Sequence, residues 1–324
     1  MPATPPATAA AADRADRLAG QTALVTGGAG FVGSHLAEAL LDLDADVRVL
    51  DDFSSGRREN VPAGADVVEG DVRDAETVRS AVRGCDVVFH QAGLVSVPAS
   101  VEDPLASQAA NVTGTLHVLE AARDADARVV VASSVAIYGN PDETPVSEGD
   151  PKDPQSPYGV DKLAIDAYTR RYHDLYGLET VALRYFNVYG PRQRAGDYSG
   201  VVSTFLEQAG SGQPLTVHGD GTQTRDFVHV SDVVDANLAA ATTDAAGRAY
   251  NIGTGDSVEI RELADLIRTV SGTDAGVVHT DARPGDVERS EADAARARRE
   301  LGWEATVSLA DGLRDLAENA VRAR

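Results

Sequence analysis

The sequence predicts an α/β protein: a doubly wound parallel sheet followed by a smaller α/β domain. Three observations predict it. Short, continuously apolar strands alternate with helical stretches through the first half of the chain. A glycine-rich turn joins the first strand to the first amphipathic helix. After Arg184 that rhythm breaks, and Gly, Pro and Gln become frequent from Tyr189 to Thr222.

The elements follow in order. Thr22 to Thr26 is a β-branched run, and Gly33 to Leu43 has helical spacing. Val47 to Leu50, Val67–Val68 and Val87 to His90 read as the second, third and fourth strands. A helix is expected around Asn111 to Ala122, a fifth strand at Val129 to Ala132, a helix from Pro157 to Tyr176, and a sixth strand at Val181 to Arg184. Further helices are expected around Ser231 to Ala241, Ile260 to Val270 and Leu309 to Val321. The expected division is a disordered tail over 1–19, a dinucleotide domain over 20–186 with 228–254 returning to it, and a substrate domain over 187–227 and 255–324.

Composition narrows the function classes. Of the 324 residues, 43% are hydrophobic, enough for a core. No stretch approaches the ~20 apolar residues of a membrane span. The N-terminus has no apolar segment of the signal-peptide kind, so the expected location is cytoplasmic. Cys85 is the only cysteine, which leaves no internal disulfide and no thiolate metal cluster, and it reads as a small buried hydrophobe. No metal is expected. The net charge of −22 repels phosphates and argues against nucleic acid. Lys152 and Lys162 are the only lysines. That acid-rich, lysine-poor balance resembles proteins of salt-loving archaea, because molar salt shortens the Debye length to ~3 Å and screens self-repulsion.

The turn reads Gly27-Gly28-Ala29-Gly30-Phe31-Val32-Gly33. Gly27 permits the tight turn, Gly30 lets backbone approach a pyrophosphate, and Gly33 allows close packing of helix on strand. The helix that starts there aims N–H groups and its dipole at the phosphates. Asp51, followed by Asp52, ends the second strand; a carboxylate there accepts ribose hydroxyls and repels a 2′-phosphate, which favours NAD over NADP. Asp71, before Val72, can reach the adenine edge or serve as a helix N-cap. Gln91, Ala92 and Gly93 follow the fourth strand, where backbone passes close to the cofactor.

Tyr158 and Lys162 are four residues apart on a helix and so share a face. A free Tyr, with a pKa of ~10, is no base near neutrality; a neighbouring ammonium favours the phenolate. Ser134, with Ser133 as the alternative, sits at the carboxyl end of the fifth strand, where open α/β sheets bind ligands.

TGGAGFVG, Asp51, SSVAIYG, YGVDK, RYFNVYGPRQ, GDGTQTRDFVHVSDVV, YNIGTG and RPGD fall in one order. From about Gln21 to the C-terminus the chain resembles the extended short-chain dehydrogenases that epimerise or dehydrate sugar nucleotides. Within them it is similar to the 4-epimerases of UDP-glucose and UDP-N-acetylglucosamine. The resemblance implies a catalytic triad of Ser134, Tyr158 and Lys162, a nucleotide-diphosphate sugar as substrate, and a homodimer. It also implies diphosphate contacts from Asn187, Arg225 and Arg283, and it sets Ser290 beside the sugar's 2-substituent. Ala136 stands where many relatives carry Thr, and Val95 where galactose-type relatives often carry Lys. The residues after Ser134, Val135 and Ala136, cannot protonate a leaving group, so inversion at carbon 4 is the expected outcome. The alternatives are another NAD-dependent oxidoreductase or dehydratase of sugar nucleotides, and a non-catalytic NAD-binding protein.

Overall fold

The computed structural model describes residues 7–194, 200–282 and 287–322. The helices are α1 (Ala7–Leu18), α2 (Phe31–Asp42), α3 (Ala75–Val82), α4 (Val97–Glu102), α5 (Pro104–Gln108), α6 (Gly114–Ala125), α7 (Pro157–Tyr176), α8 (Val201–Gly210), α9 (Val230–Thr242), α10 (Ile260–Ser271), α11 (Ala295–Leu301) and α12 (Leu309–Arg322). The strands are β1 (Thr22–Thr26), β2 (Asp46–Asp51), β3 (Asp66–Glu69), β4 (Val87–His90), β5 (Arg128–Ser134), β6 (Thr180–Tyr185), β7 (Asn187–Tyr189), β8 (Leu215–His218), β9 (Thr224–His229), β10 (Arg248–Ile252), β11 (Ser257–Glu259) and β12 (Val277–Thr280).

Among the described residues a seven-stranded parallel sheet runs in the order β10-β6-β5-β4-β1-β2-β3. Its strands are apolar on both faces because both faces are covered. Val25, Val49, Phe89, Val130 and Leu183 pack with Leu36 and Leu40 of α2 and Val233 of α9. The alternate residues Leu24, Leu50, Val88, Val129 and Val131 pack with Val78 of α3, Leu119 of α6 and Ile165 of α7. Chain order reverses between β1 and β4, which opens a crevice at their carboxyl ends.

α7 shows why its ends fall where the sequence put them. Ser156 caps it by accepting from Gly159 N at 3.1 Å, Pro157 occupies its first turn, and Gly177 ends it at φ 72°. The helix expected from Asn111 begins instead as a π-helical turn over Ala109–Thr113 and becomes α-helical at Gly114.

The cap consists of a three-stranded sheet, β11-β9-β7, the parallel pair β8 and β12, and α8, α10 and α12. It has its own core, in which Val202, Phe205, Val217, Leu263, Ile267 and Leu313 are buried. The chain returns from it to the large sheet through α9 and β10.

The expected disordered tail needs correction. Ala7–Leu18 is helical and packs on α9, with Leu18 buried in the core shared by α2 and with Arg14 donating to the Gly302 carbonyl at 3.2 Å. Lack of an apolar signal segment says nothing against a helix, and alanine is the strongest helix former. Residues 1–6 lie outside the described residues. No described helix is long and apolar enough to cross a membrane.

Candidate active site

A cavity of about 650 Å³ lies at the crevice. Its walls include Gly27, Gly30, Phe31, Val32, Gly33, Asp51, Asp52, Asp71, Val72, Gln91, Ala92 and Gly93, together with Ser134, Tyr158 and Lys162. Gly27 and Ser134 lie more than a hundred positions apart in sequence; the parallel sheet brings their strand ends together.

The glycine turn is built for close approach. Gly27 has φ +67°, and a Cβ there would lie 2.8 Å from Ala92 N. A Cβ on Gly33 would lie 2.2 Å from the Gly27 carbonyl oxygen, so only glycine lets α2 start this close to β1. Gly30 caps α2 without a side-chain acceptor, which leaves first-turn N–H groups for an anion. These features fit an NAD pyrophosphate.

Asp51 is buried; its Oδ2 accepts from Ala29 N and its Oδ1 from Phe53 N, both at 2.9 Å. Each oxygen has a further lone pair, so the carboxylate can also take ribose hydroxyls. Burial pushes its carboxyl up and the backbone N–H groups of Ala29 and Phe53 pull against that. Asp71 accepts from Arg73 N and Arg73 Nε at 2.8 Å, and the Arg73 pairing holds its carboxyl below the usual range. It does not cap the next helix: Asp74 does, accepting from Glu76 N at 3.0 Å.

The Tyr158 hydroxyl hydrogen-bonds Ser134, whose Oγ also accepts from Ala136 N at 3.1 Å. The Ser133 hydroxyl faces away, toward Asp166 Oδ2 at 3.4 Å. Lys162 is buried and donates to the Ala132 carbonyl at 2.8 Å, with Nζ 5.7 Å from the Tyr158 ring centroid. Burial brings its ammonium down to about 8, and Asp161 opposes that. Burial also pushes the Tyr158 phenol up, with only the Ser134 hydrogen bond against it. That direction is opposite to the one expected from Lys162 alone: the ammonium is turned to a carbonyl, so desolvation decides.

Three expected substrate contacts lie off the cavity wall. Asn187 turns its amide to the Asp226 carbonyl at 3.0 Å, and Arg225 donates to the Thr224 carbonyl at 2.8 Å. Ser290 is buried, its Oγ without a hydrogen-bond partner among the described residues. All three sit on the cap beside Asp226, which accepts from Ala292 N at 3.0 Å and so ties the Ser290 segment to β9. Arg283 lies outside the described residues.

Sequence reasoning missed several wall and support residues. Asn60 donates to the Ala29 carbonyl at 3.1 Å and steadies the glycine turn. Arg192, from the loop after β7, reaches Ser34 Oγ at 3.1 Å and Glu38 at 2.5 Å and lines the cavity. Ser100 accepts from Tyr158 N at 3.1 Å. His90 lies between Thr26 Oγ1 at 2.7 Å and Thr115 Oγ1 at 2.9 Å; burial, then the Lys162 charge, hold it down to about 3, so it stays neutral. The available signal was a polar residue interrupting an apolar run, as Asn111 does between Ala110 and Val112. Cys85 is buried against the Ala81 carbonyl, as expected of a packing residue.

Comparison with known proteins agrees with this geometry. The chain is 41% identical over 298 residues to a UDP-glucose 4-epimerase of Mycolicibacterium smegmatis, covering 90% of this chain and 95% of that one. The crystal structure of a UDP-glucose 4-epimerase from Thermotoga maritima with UDP-glucose superposes with a TM-score of 0.91 at 37% identity, over 93% of this chain and 99% of that one. A UDP-N-acetylglucosamine 4-epimerase from Methanobrevibacter ruminantium gives 0.90 at 33% identity, over 94% and 100%. The profile of the family described as "NAD dependent epimerase/dehydratase family" matches residues 23–253. With the dinucleotide turn, the Tyr158–Lys162 pair and these likenesses in agreement, the chain belongs to the NAD-dependent epimerase/dehydratase family.

Proposed function

We propose that the protein inverts the 4-hydroxyl of a UDP-hexose, interconverting UDP-glucose and UDP-galactose, and that it also accepts the 2-acetamido sugars. The observation that carries this reading is the single cavity that is lined by the glycine turn together with Ser134, Tyr158 and Lys162. Bound NAD supplies the hydride acceptor for carbon 4 and the donor for its return. Tyr158 takes the proton of the 4-hydroxyl, Ser134 holds that oxygen, and Lys162 keeps positive charge beside the phenolate. The 4-keto sugar turns about its diphosphate, for which Asn187, Arg225 and Arg283 are the proposed grip, and receives hydride on its other face.

A dehydratase needs an acid near carbon 5 and carbon 6. Among the described residues that line the cavity, the carboxylates are Asp51, Asp52 and Asp71, which this reading assigns to NAD. Leu94, Val95, Tyr185 and Phe186 also line the cavity. That composition supports return of the hydride over elimination.

The relatives named for UDP-glucose and for UDP-N-acetylglucosamine support both sugars as substrates. A homodimer through α7 and its neighbours fits the exposed apolar side chains Val101 on α4, Leu105 on α5, and Val160, Leu175 and Tyr176 on α7. The charge of −22 supports adaptation to concentrated salt.

Incubation with a panel of UDP-, dTDP- and GDP-sugars, with chromatography of products, tests the reading. The expected result is UDP-galactose from UDP-glucose at a fixed ratio with no net NADH. A 4-keto product, or NADH accumulating with turnover, overturns it.

A further inference from the structure

Asp161 precedes the catalytic lysine and is buried. Successive residues of a helix point about 100° apart. Lys162 accordingly faces β5, where it meets the Ala132 carbonyl, while Asp161 faces α5 and the π-helical turn. There its Oδ2 accepts from Ser107 Oγ at 2.6 Å and from Asn111 Nδ2 at 3.4 Å. Asn111 is committed on its other side. Its Oδ1 accepts from Leu94 N at 2.9 Å, and its Nδ2 donates to the Leu94 carbonyl at 3.1 Å. A Cβ on Gly93 would lie 2.6 Å from that Oδ1 and 4.0 Å from Lys162 Nζ. The loop of Gly93, Leu94 and Val95 is cavity wall. One buried carboxylate therefore joins the catalytic helix to the loop that borders the cofactor site. The bulge that carries Asn111 is of a kind found at functional sites.

We propose that Asp161 is a positioning residue for the reaction: through Asn111 it clamps the Gly93–Val95 loop to α7, and its negative charge stabilises the Lys162 ammonium beside Tyr158. Two separable effects follow. The hydrogen bonds set the loop, and so the hold on NAD. The charge offsets the desolvation of Lys162, in the sense already noted for that ammonium.

The surroundings leave few other sources of pH dependence. β4 presents His90, which is neutral. β5 presents Ser133, Ser134 and the Ala132 carbonyl. α4 and α5 present Ser100 and Ser107. One turn on along α7, Asp166 is engaged by Arg184 at 2.7 Å and by Arg170 at 3.0 Å. Tyr158 and Lys162 are then the pair whose protons shift when Asp161 is changed, and they titrate as a pair.

The proposal rests on the epimerase reading for its kinetic test, and a second readout does not. Asp161→Asn keeps an acceptor for Ser107 and Asn111 but removes the charge. Asp161→Ala removes both. Lys162 in Asp161→Asn should lose its proton at lower pH. For a displacement of one unit, the kcat for UDP-galactose falls about twofold at pH 7 and about tenfold at pH 9 relative to wild type. In NAD-loaded protein without sugar, the tyrosinate absorbance that vanishes in Tyr158→Phe should rise at higher pH in Asp161→Asn than in wild type. Asp161→Ala should in addition release NAD about tenfold more readily, the loss of a hydrogen-bonded tether. If wild type does not interconvert the sugars, the epimerase reading fails while the tyrosinate titration still decides the role of Asp161. If Asp161→Ala does not fold, Asp161→Asn still decides it. A pH profile and tyrosinate titration of Asp161→Asn that superpose on wild type overturn the proposal.

Discussion

The crevice side of the large sheet and the interior of the cap treat buried acids in opposite ways. At the crevice, each Asp51 oxygen accepts one backbone N–H, which leaves it a further lone pair. In the cap, Asp226 receives Thr254 N, Thr254 Oγ1, Gly255 N and Ala292 N, at 2.7 to 3.0 Å. Asp232, at the start of α9 where the chain returns to the large sheet, receives Thr306 N, Thr306 Oγ1 and Val307 N in the same way. The first kind of acid is, on the proposed reading, a binding group. The second is a clip that replaces regular structure, tying loops to a strand or helix far away in sequence. Their surroundings, not their residue type, set the role.

The contrast breaks most sharply at Tyr158. Tyr158→Phe removes the proton acceptor and leaves the ring packing, so turnover should fall at least ~10²-fold. NAD binding and the melting curve should stay as in wild type. A mutant that keeps near-normal turnover would show that Tyr158 is scaffold, and the line between binding and structural groups would be misplaced.

Asp226→Ala should do the reverse. It strands several buried N–H donors, each worth about 1–3 kcal/mol when unsatisfied, with partial relief from relaxation. A loss of about 3 kcal/mol in unfolding free energy is expected, measured from the denaturant midpoint. The preference for NAD over NADP should not move. Unchanged stability would remove Asp226 from the clips.

These two residues also show what was legible. Tyr158 and Lys162 stand at helical spacing after a serine–proline start, so local pattern alone put them on one face of α7. The glycine turn was legible for the same reason: backbone sterics act over a few residues. Asp226 was not, because its partners lie 28 to 66 positions away. The cap strands are short, β7 and β11 having three residues each, too few to show alternation. Lys152 was noticed as a rare lysine without a role. It donates to the Glu148 carbonyl at 2.8 Å and stands 5.3 Å from the Tyr138 ring, a rigid corner that only tertiary structure reveals. α1 was missed because composition alone does not show that Leu18 packs into a core formed by residues distant in sequence.

Asp51→Ser tests the binding kind of acid. Its charge is the expected barrier to a 2′-phosphate. Removing it should raise NADP binding relative to NAD by roughly tenfold, equivalent to ~1.4 kcal/mol, measured by titration of the apoprotein. Stability should change little if Asp51 serves mainly the ligand. A large loss of stability with no change in preference would place Asp51 among the clips, because its two backbone bonds would then be its main work.

The smallest effect is expected at Ser290, where both kinds of role meet. The residue is buried on the segment that Asp226 ties down, yet its hydroxyl has no partner among the described residues. A buried hydroxyl left unsatisfied is costly, so a ligand group that reaches it is favoured. On the proposed reading Ser290 lies beside carbon 2 of the sugar, where its small volume would leave room for an acetamido substituent. Ser290→Tyr fills that room with a ring and leaves a hexose 2-hydroxyl space to fit. The kcat/KM for UDP-N-acetylgalactosamine should fall about fivefold or more, about 1 kcal/mol of transition-state stabilisation, while that for UDP-galactose stays within about twofold. Equal losses on both sugars would mean that the ring disturbs the Asp226 clip. No loss on either would mean that Ser290 does not face the sugar, and its buried hydroxyl would then belong to the cap's own packing.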